Sequence, residues 1–272
     1  MASQLNVTSE SLAQKARVST IRMTAEASAA HVGSSLSVID ILSVLYHETR
    51  IKNIERESSN SLIFVSKGHA AAGTYAVMAH SGCFPLEWLD SYCKNDSPLI
   101  GHVNKRGVPG VNHSTGSLGH ALPFAAGKAL AAKIQGEQTR FFVVLSDGEC
   151  DEGSNWEAAL VASHLVLKNL TILIDRNRLQ SLKSTEDTVA LEPFADKWKA
   201  FGWSVDVVNG HDHESIRTAV FGDYENRTTP KVVICETTKG YGVSFMENSV
   251  MWHYKPPSGE FLSLALEELG EK

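Results

Sequence analysis

Apolar residues recur at helical spacing through the first part of the chain. Leu12, Ala16, Met23 and Ala27 share one face over residues 11–30, which predicts a helix. A second helix is predicted to open at Ser37, with Ser37 as N-cap and Asp40 at the capping-box position. The short apolar run 62–65 predicts a strand, followed by Ser66-Lys67-Gly68-His69 and an Ala-rich helix. From residue 141 the pattern changes. Runs at 141–145, 170–174, 203–208 and 231–235 predict strands. Stretches 152–167, 192–201 and 212–221 predict the helices between them, with Gly202 as a C′ stop, and 259–269 predicts a last helix. These strands are continuously apolar, not alternating, so both faces should be buried. With helices between them, the pattern predicts an α/β fold: a parallel sheet flanked by helices.

The chain has 272 residues. At roughly 150 residues per domain it is one large domain or two small ones. The absence of repeats and linkers favours a single domain over 1–272, with a helical part at 1–120 and a βα core at 121–250. A net charge of −6, with no basic run beyond Lys105-Arg106, argues against nucleic acid. No apolar run approaches the roughly 20 residues that span a bilayer, so no membrane partner is expected. The first ten residues lack a basic segment followed by an apolar one, and the four cysteines show no C-x-x-C spacing. Reduced thiols and a cytoplasmic location are expected. The five tryptophans are read as packing residues.

In open α/β sheets, ligands sit beyond the carboxyl ends of the strands. Two predicted strands end in polar residues of one kind: Asp147-Gly148 after the first, Asn177 after the second. Adjacent strands would bring the carboxylate and the amide to one edge. That is a lean oxygen site, suited to a hard cation that takes its other ligands from phosphate and water. Gly148 allows close backbone approach to an anion, and a helix predicted to start near Asp151 would point its free amides the same way. A phosphorylated cofactor held through a divalent metal is the physical reading. The Gly-rich stretch 94–120 is longer than a connecting loop needs to be, which points to function.

The run 146–164 (SDGECDEGSNWEAALVASH), followed by 167–180 (LKNLTILIDRNRLQ), resembles the thiamine diphosphate motif of transketolases. Segments around His31-Val32-Gly33, Ser66–His69, Gly101-His102, Ser114–Gly119, Thr237–Asn248 and Trp252-His253 also resemble that family, over roughly residues 10–260. The resemblance implies a thiamine diphosphate-binding fold and transfer of a two-carbon ketol unit from a ketose (phosphate) to an aldose (phosphate). It implies that Asp147, Asn177 and the Leu179 carbonyl bind Mg²⁺ (or Ca²⁺ or Mn²⁺). It places Gly148, Glu149, Gly116, Ser117 and Leu118 at the cofactor, and Glu152 and Glu157 in a carboxylate network at an interface between subunits.

A histidine that titrates near about pH 6.5 can exchange protons with sugar hydroxyls. His31, His69, His102 and His253 lie beside glycines or after an apolar strand, and the resemblance makes them the catalytic and substrate-channel set. His69 and His253 would also touch the diphosphate. His113 and His120 have less support, and the other histidines are read as hydrogen-bonded structural residues.

Transketolase chains are more than twice this long, so the resemblance also implies a second subunit carrying the pyrimidine-binding and C-terminal domains. Self-association would give a heterotetramer with two copies of each chain. The sequence departs from the family at Ser146, Val32, His120 and Tyr254. If position 146 needs φ > 0, Ser costs about 1–2 kcal/mol relative to Gly. A specialised enzyme for an unusual ketose and a non-catalytic regulatory homologue are the alternatives.

Overall fold

The computed structural model describes residues 7–51 and 61–271. At its centre lies an all-parallel five-stranded sheet of β1 (Ser61–Val65), β2 (Arg140–Ser146), β3 (Leu170–Arg176), β4 (Ser204–Asn209) and β5 (Lys231–Glu236). The strand order is β1-β2-β3-β5-β4, so the chain crosses beyond β5's place to form β4 and then returns.

The pleat sends successive side chains into two separate cores. Ile63, Val65, Phe142, Val144, Leu173 and Val233 face one layer, built from α1 (Ser9–Glu26), α2 (Val32–Tyr46), α3 (Ala71–His80), α8 (His213–Phe221) and α9 (Glu260–Glu268). Phe64, Phe141, Val143, Ile172, Ile174 and Val232 face the other, built from α4 (Ala121–Gln135), α5 (Gly153–His164) and α7 (Phe194–Ala200). A short α6 (Thr185–Thr188) lies in the connection after β3. Each buried Val, Leu, Ile or Phe contributes roughly 1.5–3 kcal/mol, which makes these two cores the main source of stability.

The predicted parallel sheet is present, and three local expectations fail. First, β4 is not buried on both faces. It pairs only with β5, and Ser204, Val207 and Asn209 are exposed on the sheet edge. Second, α2 opens at Val32, behind His31 in the left-handed conformation (φ 72°). Ser37 and Asp40 therefore lie inside the helix and do not cap it. Their side chains serve tertiary partners: Ser37 Oγ donates to Asp175 Oδ2 at 2.6 Å, and Asp40 receives Arg17, His211 and His213. Third, the apolar pattern assigns nothing to α4, an Ala- and Gly-containing helix stopped by Gly136 at φ 73°. Small residues carry little periodic contrast.

Residues 92–120 contain no helix or strand. The tryptophans pack: Trp198 and Trp252 are fully buried, and Trp198 contacts Trp156, Trp203 and Phe194. None of the described helices is long and apolar enough to cross a membrane.

Candidate active site

The carboxyl ends of β1, β2, β3 and β5 meet at one edge, in a register that sets Ser146 opposite Asp175 and Asp175 opposite Cys235. Asp147, just past β2, is only 1% exposed. Its Oδ1 accepts the Gly148 N–H at 2.8 Å, and its Oδ2 accepts the Arg178 N–H at 2.6 Å, with Arg176 Nη1 at 3.5 Å. Asn177 Oδ1 accepts the Leu179 N–H at 3.1 Å. Asp147, Gly148, Asn177 and Leu179 line one cavity of about 80 Å³, together with His69 and His253.

Burial and the neighbouring Asp175 push the Asp147 carboxyl up to about 6. A bound cation would relieve that cost. One carboxylate, one amide oxygen and one main-chain carbonyl form a hard-oxygen set, and this fits a small divalent ion that keeps other ligands of its own. No group of three or more His, Cys, Asp or Glu that could hold a metal occurs among the described residues, which leaves this lean set as the candidate. Ser146 belongs to β2 and is not among the left-handed residues, so the strain anticipated for it does not arise. The turn after Asp147 is a 3₁₀ helix, Gly148–Asp151, and α5 opens only at Gly153. The amides nearest the cavity therefore belong to that short turn, where Gly148 N–H serves Asp147 Oδ1 and Cys150 N–H serves Asp147 O.

Two buried lysines stand at the cavity, Lys67 lining it and Lys239 bonded to residues that do, and the sequence pattern did not single them out. Lys67, after β1, donates to Ser34 O at 2.8 Å, to Ser37 Oγ at 3.0 Å and to the Asp175 carboxylate. Lys239, after β5, donates to Gln180 O at 2.9 Å, Leu179 O at 3.3 Å and His253 Nδ1 at 2.9 Å. Both are 1% exposed. Burial and Lys67 push Lys239 down to about 8. Both lysines stand in the family-like segments, Ser-Lys-Gly-His and Thr-Lys-Gly-Tyr. The visible signal is a lysine two or three residues beyond the end of an apolar strand.

The four predicted histidines come together. The His31 ring lies 5.5 Å from His69, 5.8 Å from His102 and 5.0 Å from His253, and His69 lies 5.8 Å from His253. The His31 N–H donates to His253 O at 2.7 Å, joining the start of α2 to the loop after β5. Because Lys239 donates to His253 Nδ1, the ring hydrogen of His253 is assigned to Nε2. Tyr254 is 56% exposed, with its ring 4.7 Å from His253 and 6.0 Å from His31. His113 instead stacks on Phe124 at 4.3 Å, and His120 is exposed beside α4.

Burial, then His102, Lys239 and Lys67, lower His31 to about 4; burial, then Lys239, His31 and Lys67, lower His253 to about 3. An unfolded imidazole binds its proton near about 6.5. As pH falls from that value toward 4 and 3, the unfolded chain takes up more protons, so stability falls with it. Urea denaturation should show this loss between pH 7 and 5. A His31→Asn/His253→Asn variant should show a flatter slope; equal slopes for both proteins would refute the assignment.

Of the Gly-loop residues, Leu118 lines the cavity, while Gly116 and Ser117 are exposed beside it. Gly68 packs against this loop so closely that a Cβ there would lie 2.7 Å from Gly116 N. Glu149 lines the cavity, but its carboxylate accepts from Ser66 Oγ, from Gly119 N at 2.9 Å and from Ser146 N at 3.3 Å, tying the Gly loop to β2. Glu152 and Glu157 are exposed. Glu157 lines a groove of about 430 Å³ between α4 and α5, with His120 and Val161. That face also exposes Phe124, Ile134 and Leu160.

A family model described as "Transketolase, thiamine diphosphate binding domain" matches residues 8–270, a span that holds every residue of this site. The chain belongs to the transketolase family. Among its relatives, an apulose-4-phosphate transketolase subunit of Actinobacillus succinogenes is 42% identical over 245 residues, covering 89% of this chain and 88% of the relative. The protein of the same name in Phocaeicola vulgatus is 37% identical, covering 97% and 95%. The 6-deoxy-6-sulfo-D-fructose transketolase subunit SqwG of Clostridium sp. (strain MSTE9) is 35% identical, covering 88% of each. The solved transketolase of Campylobacter jejuni superposes with a TM-score of 0.86 at 28% identity, over 96% of this chain. This transketolase-family chain spans 42% of that solved chain.

Proposed function

We propose that this chain is the diphosphate-binding subunit of a two-subunit transketolase that moves a two-carbon ketol unit from a ketose to an aldose. The observation that carries the reading is the single cavity at four strand ends, where the hard oxygens of Asp147, Asn177 and Leu179 lie beside the buried ammonium groups of Lys67 and Lys239. The three oxygens would hold Mg²⁺ (or Ca²⁺ or Mn²⁺), and the Lys239 ammonium, whose partners are two carbonyls and a histidine rather than a carboxylate, would offset the charge of the diphosphate. When bound, thiamine diphosphate supplies the carbon nucleophile that opens a ketose next to its carbonyl.

The histidines do the proton work. With their proton affinity depressed, His31 and His253 are neutral at pH 7: the His31 ring offers one donor and one acceptor to sugar hydroxyls, and His253, whose Nδ1 is taken by Lys239, offers its Nε2–H. His69 and His102 complete that surface around the substrate.

A second subunit would supply the pyrimidine-binding and C-terminal domains. Three relatives of similar length are themselves named as transketolase subunits, and the chain spans 42% of a solved transketolase; both support this. The apolar α4–α5 face, with Glu157 in its groove and Glu152 nearby, is the candidate contact for assembly into a heterotetramer. Four free cysteines fit a reducing, cytoplasmic setting.

An unusual ketose is favoured over a common pentulose phosphate. Two relatives are named for apulose-4-phosphate and one for 6-deoxy-6-sulfo-D-fructose, and Tyr254 stands at the edge of the histidine cluster. The test is a panel of ketose donors, branched and sulfonated ones included, run with ribose 5-phosphate, Mg²⁺ and a candidate chain that carries the pyrimidine-binding and C-terminal domains. Turnover of any donor only with both subunits present supports the reading. Failure of every donor, with thiamine diphosphate unbound, would make the chain a non-catalytic homologue.

A further inference from the structure

Two histidines outside the cavity converge on one carboxylate. His211 and His213 follow β4 and open α8, and both turn to Asp40 in the middle of α2. Asp40 is 2% exposed; it receives Arg17 from α1, His211 Nδ1 at 2.7 Å and His213 Nε2 at 2.9 Å. With the Nδ1–H of His211 given to Asp40, its Nε2 keeps a lone pair. That lone pair accepts the Thr238 N–H at 2.8 Å. Thr238 immediately precedes Lys239, whose ammonium binds the Leu179 and Gln180 carbonyls and His253 Nδ1 inside the cavity. The Tyr241 ring lies flat on His211 at 3.5 Å, and the Arg17 guanidinium covers Tyr241 at 5.0 Å.

We propose that His211, oriented by Asp40, is a positioning residue: its Nε2 lone pair fixes the Thr238 peptide and so sets where the Lys239 ammonium meets the diphosphate cavity. This rests on the proposed thiamine diphosphate reading of the cavity, and His211 itself touches no ligand. The other links of the segment do not replace it. Thr237 is held by its Oγ1 on Asp175 and its N–H on Arg176 O, Gly240 N donates to Gly33 O at 3.0 Å, and the Thr238 and Lys239 carbonyls accept from Tyr241 N at 3.1 Å and Asn248 N at 2.9 Å, which leaves the Thr238 N–H as the group of this segment that His211 serves.

Acceptance requires a neutral ring, since an imidazolium would set N–H against N–H. The charged and titratable groups facing His211 are Asp40, Arg17, His213 and Tyr241, with Glu10 3.9 Å beyond His213. Asp40 stays ionised: burial opposes this, but the bonds from His211 and His213 and the Arg17 charge hold its carboxyl well below the usual carboxylate range.

The test compares His211→Ala, His211→Gln and His213→Ala, each assembled with the partner chain. The carboxamide oxygen of a glutamine reaches the place of Nε2, accepts a hydrogen bond and does not titrate. Calorimetry should show His211→Ala raising the Kd of thiamine diphosphate with Mg²⁺ about tenfold, as loss of one buried hydrogen bond allows, and His213→Ala leaving it near wild type. His211→Gln should restore the affinity. Hydrogen exchange of the Thr238 amide, read without ligand, should be slow in wild type, His213→Ala and His211→Gln, and fast in His211→Ala. Equal effects of His211→Ala and His213→Ala on Kd and exchange, or no rescue by glutamine, would overturn the proposal. If wild type bound no thiamine diphosphate, the cavity reading would fail, and the exchange rates would still decide whether His211 holds the peptide.

Discussion

Asp147→Ala should remove calorimetrically detectable binding of thiamine diphosphate with Mg²⁺ and lower the activity of the assembled enzyme more than about a hundredfold. Changes to the outer shell of a metal site alone cost about 10–100-fold, and Asp147 is the one charged ligand in the candidate set. Its loss leaves a dication with the neutral oxygens of Asn177 and Leu179, beside the buried ammonium groups of Lys67 and Lys239. The fold should survive, because Arg176 keeps Glu186 and Glu192, each at 2.9 Å.

The sign of the stability effect separates binding from folding. The Asp147 carboxyl titrates at about 6 when folded, pushed up by burial and by Asp175, against about 3.9 unfolded. A raised carboxylate loses stability as pH rises through its folded value. At pH 8 the metal-free Asp147→Asn chain should therefore be at least as stable as wild type while failing to bind the cofactor. Wild-type affinity in either variant would remove Asp147 from the site.

Lys67→Met should destabilise the chain by about 3–5 kcal/mol, the cost of leaving one member of a buried ion pair alone. Asp175 is fully buried at the end of β3, and its charge is met by Lys67, with Ser37 Oγ at 2.6 Å and Thr237 Oγ1 as the other partners. Burial alone would raise the Asp175 carboxyl; the Lys67 charge and hydrogen bond outweigh it and hold the value low. This contribution is present above the unfolded carboxylate value and fades as pH falls through the folded one. Urea denaturation of Lys67→Met, Asp175→Asn and the double variant measures the coupling. The double variant should recover much of the single loss, because no unpaired charge remains. A loss under about 1 kcal/mol for Lys67→Met would show that the buried pair contributes no more than a surface one.

How much of this was legible depends on the reach of each interaction. The strand cores stood out because Phe141–Leu145 and Leu170–Ile174 are unbroken apolar runs with helices between them. The Asp147–Asn177 pair stood out because both residues end such runs. Ser37 and Asp40 misled because they fit a local capping pattern, whereas their partners lie 138 and 171 residues away, at Asp175 and His211. Lys67 and Lys239 were in view, but nothing local shows that a lysine beside a glycine is buried. α4 escaped because alanine and glycine give little periodic contrast.

The sequence by itself determined what short-range physics decides: the strand positions, the helices with strong apolar contrast, and the chemical kind of the residues at each strand end. Only the tertiary structure decided which ends are neighbours. The order β1-β2-β3-β5-β4 brings Lys67, Asp147, Asp175 and Lys239 to one edge and leaves β4 on the rim. That order follows from burying two faces of one sheet at once, a sum over the whole chain that no local window contains. Charge pairing, the histidine cluster and the His211 contact follow from it, because electrostatic partners are set by distance in space, not by separation along the chain.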